Sequence, residues 1–71
     1  MGAILRNQLK VERARRNWTQ EHVAGLAGVT RKTINTVETG KFVPSTVLAL
    51  KLARVFGVNV EDLFAIEEPG A

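Results

Sequence analysis

The sequence predicts an all-α domain, a compact bundle of five short helices, and three observations carry that prediction. Apolar residues recur at helical spacing in short blocks, as in Val23, Leu26 and Ala27, while no stretch alternates with the two-residue period of a half-buried strand. Punctuation separates the blocks: Gly28, Gly40 and Gly57 stop three of them, and Thr19 and Thr30 stand where N-caps are wanted. The 71 residues make one domain whose core is modest, so that self-association would help it.

The elements are expected as follows. A first helix spans 3–16, with a weak apolar stripe of Leu5 and Leu9 followed on the same side by Glu12, Arg13 and Arg16. Trp18 covers its junction with a second helix, 19–27, which Thr19 caps and in which Glu21 suits the positive helix end. Gly28 closes that helix, and Thr30 opens a third, 30–39, that stops at Gly40. "KFVPST" is a loop, with Pro44 and Ser45 leading into a fourth helix, 45–56. Its wide apolar arc of Leu48, Ala49, Leu52, Ala53, Val55 and Phe56 makes it the hub of the core, with Val47 and Leu50 outside the arc. Asn59 opens a last helix, 60–66, with acids in its first turn, and 67–71, "EEPGA", is expected to be a short frayed acidic tail. The domain proper is thus 1–66.

Composition narrows the function. There is no cysteine, which excludes a disulfide framework and a cysteine zinc site, and His22 stands alone, so no metal or other cofactor is expected. No apolar run reaches the roughly 20 residues that span a membrane. The start, "MGAILRNQLKVERARR", has neither a secretory core nor a myristoylation motif, so a cytoplasmic protein without membrane attachment is expected. An enzyme fails on inventory: one histidine, no tyrosine, no glycine-rich phosphate loop, and no clustered carboxylates beyond Glu61/Asp62 and Glu67/Glu68. The net charge of +3 hides a division. Ten bases and three acids lie in positions 1–54, giving +7, while the last seventeen residues carry four acids and no base, giving −4. A basic body suits a polyanionic partner.

The most informative stretch is "GVTRKTINTVETGK", residues 28–41. Six of the ten residues from Thr30 to Thr39 are β-branched, each costing up to roughly 0.7 kcal/mol against alanine in a helix interior. Tertiary packing must therefore hold this helix. With Ile34 facing the core, Thr30, Thr33, Val37 and Glu38 lie on or beside the buried side, Lys32, Asn35, Thr36 and Thr39 fall opposite, and Arg31 sits on the flank. The outer face is short, polar, basic and free of carboxylates, which is what entry into a DNA major groove requires.

The segment from Gln20 onward resembles a helix-turn-helix. Apolar residues stand at Val23, Ala27, Val29, Ile34 and Val37, a small residue at Ala24 and glycine at the turn, Gly28, as that pattern wants. "WTQEHVAGLAGVTRKTINTVETGKFVPS" followed by "LALKLARVFGVNVEDLF" is similar to the Xre family of transcriptional regulators, which includes the Cro and CI-type phage repressors. The likeness covers about Leu9 to Phe64 and implies a lambda-repressor-like five-helix bundle.

It also implies roles. Gln20 would contact a phosphate and brace the third helix. Arg31, Lys32 and Asn35 would read base edges, with Thr30, Thr33 and Thr36 nearer phosphates and Lys41, with amides near Phe42, on the DNA backbone. Arg13 and Glu38 would form a structural ion pair. Glu12 departs from the family, where leucine is common; it either pairs with Arg16 at i+4 or opens a local polar patch.

The function expected is a sequence-specific double-stranded DNA-binding regulator, a repressor that binds a pseudo-palindromic operator as a homodimer. Val47, Val55 and Ile66 are candidates for the dimer face. The alternative is an antitoxin or other adaptor on the same fold, its partner a protein such as a toxin.

Overall fold

The computed structural model describes residues 4–68. In chain order these form β1 (Ile4–Asn7), α1 (Leu9–Arg15), α2 (Gln20–Ala27), α3 (Arg31–Glu38), α4 (Thr46–Phe56), α5 (Val60–Leu63) and β2 (Phe64–Glu67). The five helices stand in the expected order, but the fold is not purely α-helical, because β1 and β2 pair as a small antiparallel sheet.

The ends of the three central helices follow from local chemistry. Thr19, Thr30 and Ser45 each sit in extended backbone and accept a hydrogen bond from the N–H of a residue three further on: His22 at 3.0 Å, Thr33 at 3.2 Å and Leu48 at 3.1 Å. Gly28, at φ 73°, ends α2 in the left-handed region, and the next amide, that of Val29, turns back to the Ala24 carbonyl at 2.9 Å. Just past the end of α1 the chain turns at Asn17, a non-glycine residue with φ 55°. Asparagine is one of the few side chains that tolerates that conformation.

Two expected helices are corrected. The first, 3–16, is replaced by β1 followed by the shorter α1, while Ala3 lies outside the described residues. Asn7 divides them. Its Oδ1 accepts the Leu9 N–H at 3.2 Å, in the manner of a cap, and its Nδ2 donates to the Val37 carbonyl at 3.0 Å. The last helix, 60–66, stops at Leu63, because Phe64 turns to extended backbone and starts β2. The strands pair Ile4 with Glu67, Leu5 with Ile66, Arg6 with Ala65 and Asn7 with Phe64. Glu67, expected in a frayed tail, therefore belongs to the sheet, where Arg6 Nη1 reaches its carboxylate at 2.9 Å. The rest of that tail from Pro69 lies outside the described residues.

The core draws one layer from each helix: Leu9, Val23, Ile34, Val37, Leu52 and Leu63 are fully buried, with Ala24, Ala27, Leu48, Ala53 and Phe56 beside them. Of the arc expected of it α4 buries Leu48, Leu52, Ala53 and Phe56 and half-buries Ala49 and Val55, leaving Val47 and Leu50 outside. Trp18 is partly buried, stacked on Phe56 at 5.8 Å between ring centroids and edge-on to His22 at 5.0 Å.

Glu12 is buried and satisfied. Its carboxylate accepts from Arg16 Nη1 at 2.9 Å and Arg15 Nη1 at 3.2 Å. Arg16 further donates to the Phe56 carbonyl at 2.6 Å and lies over the rings of Trp18 and Phe56. Of the two readings of Glu12, pairing with Arg16 holds.

Candidate nucleic-acid interface

The β-branched helix α3 is held from inside. Ile34 and Val37 have relative exposures of 0% and 1%, so both side chains of its inner face are removed from water. Burying two such side chains contributes roughly 3–6 kcal/mol, which outweighs the propensity deficit of the threonines. The threonine hydroxyls are satisfied within the helix: Thr36 Oγ1 donates to the carbonyls of Thr33 (2.9 Å) and Lys32 (3.0 Å), and Thr39 Oγ1 to that of Asn35 (2.9 Å).

Arg31, Lys32 and Asn35 are exposed and border one open hollow of about 300 Å³ on the outer side of α3. Among the described residues neither Arg31 nor Lys32 enters an ion pair. Both charges therefore face solvent at the helix start, where no acid stands in the first turn. The exposed side chains of this hollow are two cations and an amide, with no carboxylate among them, while Glu21 of α2 lies on the far side of Arg31.

Beside it runs a connected set of polar side chains. Glu38 is joined to Arg13 at two points, Nε to Oε2 at 2.8 Å and Nη2 to Oε1 at 3.2 Å. Arg13 Nη1 also donates to the Trp18 carbonyl at 3.0 Å. The hydrogen bond to Glu38 raises the Arg13 pKa above its ordinary value, desolvation lowers it, and the Glu38 charge raises it further. Gln20 completes the set, its Nε2 donating to Glu38 Oε1 at 3.1 Å and to Asn35 Oδ1 at 3.2 Å.

The other candidate residues are placed as follows. Thr30 and Thr33 stand at the start of α3 with their hydroxyls 3.0 Å apart, so one of the two can share its proton outward. Thr36 is half-buried and its hydroxyl proton is directed at backbone carbonyls. Lys41 is exposed just beyond α3, but the amides of Lys41 and Phe42 both donate to the Thr36 carbonyl, at 2.9 and 3.1 Å. Those amides close the helix instead of facing outward. Val47 and Ile66 are exposed, while Val55 is half-buried against the core.

The Gln20 amide bonds and the tie from Asn7 to Val37 had no local signature in the sequence, since each joins residues 15 to 30 positions apart. Among the described residues no group of three His, Cys, Asp or Glu could hold a metal ion, and no helix is long and apolar enough to cross a membrane.

A buried-faced α3 set against α2 across a glycine turn, within five helices, defines a helix-turn-helix protein. A family model described as a helix-turn-helix domain matches residues 4–65, and the chain belongs to that family, as a transcriptional regulator of the Xre type. It is 48% identical over 64 residues to an uncharacterized HTH-type transcriptional regulator of Methanocaldococcus jannaschii, covering 90% of this chain and 97% of that one. The HTH-type regulator YgzD of Bacillus subtilis is 42% identical with the same coverage.

Among solved structures, the restriction-modification controller protein C.AhdI of Aeromonas hydrophila superposes with a TM-score of 0.76 at 33% identity, over 80% of this chain and 86% of that one. The SOS-response repressor LexA of Eubacterium rectale also gives 0.76, at 28% identity, over 90% of this chain and 67% of that one.

Proposed function

We propose that the chain is a sequence-specific double-stranded DNA-binding regulator, a repressor that sits on a pseudo-palindromic operator as a homodimer. The observation that carries this reading is the outward array of Arg31, Lys32 and Asn35 on a helix whose opposite side is fully buried. The family membership and the likeness to a restriction-modification controller protein support it.

In this reading α3 enters the major groove. Arg31 and Lys32 engage guanine O6 and N7, Asn35 reads a neighbouring base edge, and Lys41 neutralises a phosphate. Thr30 and Thr33 supply a hydroxyl to the backbone at the start of the helix. Thr36 offers the groove its methyl group, its proton being used within α3. Gln20 acts as a brace, because both hydrogens of its amide nitrogen are directed at protein oxygens, and contact with a phosphate falls to the backbone N–H groups of Gln20 and Glu21, those of His22 and Val23 being bonded to Thr19. Val47, Ile66 and the half-buried Val55 supply the apolar face between protomers. Two copies then place their recognition helices in successive major grooves, about 34 Å apart.

Selection of bound sequences from a random duplex pool tests the proposal. An enriched inverted repeat with half-sites about one helical turn apart is the expected result. Recovery of no enriched sequence at moderate salt would refute it.

A further inference from the structure

Resting on the DNA-binding reading, we infer that Glu21 is a specificity-determining residue that works by repulsion. Its carboxylate denies the Arg31 guanidinium a fallback on backbone phosphate, so that Arg31 adds affinity chiefly where a guanine meets it.

Arg31 borders two hollows of unlike charge. On the outer side of α3 it shares one of about 300 Å³ with Lys32 and Asn35, and no carboxylate lines it. On its other side it shares one of about 430 Å³ with Arg13, Thr19, Gln20 and Glu21, at the start of α2. In this second hollow the charges cancel. Arg13 is taken up by Glu38 through two hydrogen bonds. That leaves one exposed cation, Arg31, and one exposed acid, Glu21, and among the described residues neither enters an ion pair.

The second hollow is also the one that faces the DNA backbone in the pose proposed above, where the N–H groups of Gln20 and Glu21 meet a phosphate. An Arg31 side chain that finds no guanine in the groove has this phosphate as its alternative partner. A phosphate drawn into the hollow approaches the Glu21 carboxylate, and repulsion between two anions near a protein surface weakens binding severalfold even when partly screened. A guanine in the groove carries no charge and escapes that cost. Contact of the α2 amides with phosphate occurs on every sequence, so its share of the repulsion cancels between operator and random duplex. What does not cancel is the lost fallback of Arg31. Binding to random duplex rests on phosphate contacts, and weakening that complex raises specificity as surely as strengthening the right one.

Fluorescence titration of a selected operator and of a random duplex, at one salt concentration, tests this with Glu21→Gln, Arg31→Ala and the double variant. Glutamine keeps the shape of the side chain and removes its charge. Glu21→Gln is expected to tighten the random duplex roughly fivefold and the operator only about twofold, so that their ratio falls. Added to Arg31→Ala, the same substitution should tighten both duplexes by one common factor, because no guanidinium remains to be redirected. Glu61→Gln on α5 changes the net charge equally but lies in a hollow beside the sheet, and should leave the ratio unchanged.

Equal tightening of both duplexes by Glu21→Gln would reduce its role to plain repulsion and overturn the inference. So would an unchanged affinity for random duplex, a gain on it that persists in full without Arg31, or a matching fall in the ratio with Glu61→Gln. Each of those results leaves the DNA reading standing. Recovery of no enriched sequence in the selection overturns that reading, and the inference with it.

Discussion

Arg13 and Glu38 meet at two points, 2.8 and 3.2 Å, and so fasten the end of the recognition helix to the first helix of the domain. Both side chains are largely out of solvent, with 19% and 5% relative exposure. Removing one partner leaves the other charge poorly solvated, so Glu38→Ala should cost roughly 3 kcal/mol in urea unfolding. Arg6 and Glu67 make an equally short bond but are 61% and 52% exposed, and Arg6→Ala should change stability by less than about 0.5 kcal/mol. Equal losses for the two variants would show that burial does not set the weight of these pairs. The raised Arg13 pKa means its share of stability is present at neutral pH and is lost only as pH climbs past the arginine range.

Base-reading and phosphate-contacting residues should separate in binding assays. Arg31→Ala is expected to lose about 1–3 kcal/mol of discrimination at one operator position, with a smaller effect on random duplex. Lys41→Ala should weaken all sequences alike and reduce the slope of log affinity against log salt by about 1. Fluorescence titration on specific and random duplexes at several salt concentrations distinguishes them. If Arg31→Ala weakens both duplexes equally, it is a phosphate contact.

Two glycines with equally open surroundings should respond in opposite directions. A methyl group added at Gly25 or Gly28 meets nothing within 4 Å, so packing does not decide either case. Gly28 has φ +73°, and Gly28→Ala should cost about 1–2 kcal/mol from backbone strain. Gly25 lies inside α2, where Gly25→Ala should add roughly 0.5–1 kcal/mol. Thermal unfolding of the two variants gives the signs directly.

Self-association should depend on the apolar side chains left outside the core. Val47 is 64% and Ile66 69% exposed, so a lysine at either place leaves the fold intact. In sedimentation velocity the wild type is expected to run as a dimer, with Val47→Lys or Ile66→Lys shifting it toward monomer. A wild type that stays monomeric at micromolar concentration would remove the dimer from the proposal.

Helices α2, α3 and α4 were legible because their signals are local. Thr19, Thr30, Ser45 and the glycines at 28 and 57 mark the ends, and Val23, Ile34, Leu48 and Leu52 mark the buried sides. The outer face of α3 could be read for the same reason, since fixing Ile34 inward fixes Lys32 and Asn35 outward. The sheet could not be read this way. Four residues of "ILRN" are too few to establish a period, and "FAIE" continues a helix until its partner is known. Ile4 and Glu67 pair across most of the chain, and only tertiary structure brings them together. The resemblance implied that Gln20 braces α3, but the oxygens its amide nitrogen meets were hidden, since sequence does not record which end of an amide faces which neighbour.

The central claim is that the outer side of α3 occupies a major groove, and methylation protection at guanine N7 measures that most directly, because this atom lies on the major-groove edge. On a duplex recovered by selection, the wild type is expected to shield guanine N7 within each half-site, and Arg31→Ala to restore reactivity at one of them. A bound complex in which every guanine N7 stays as reactive as in free DNA would contradict the account.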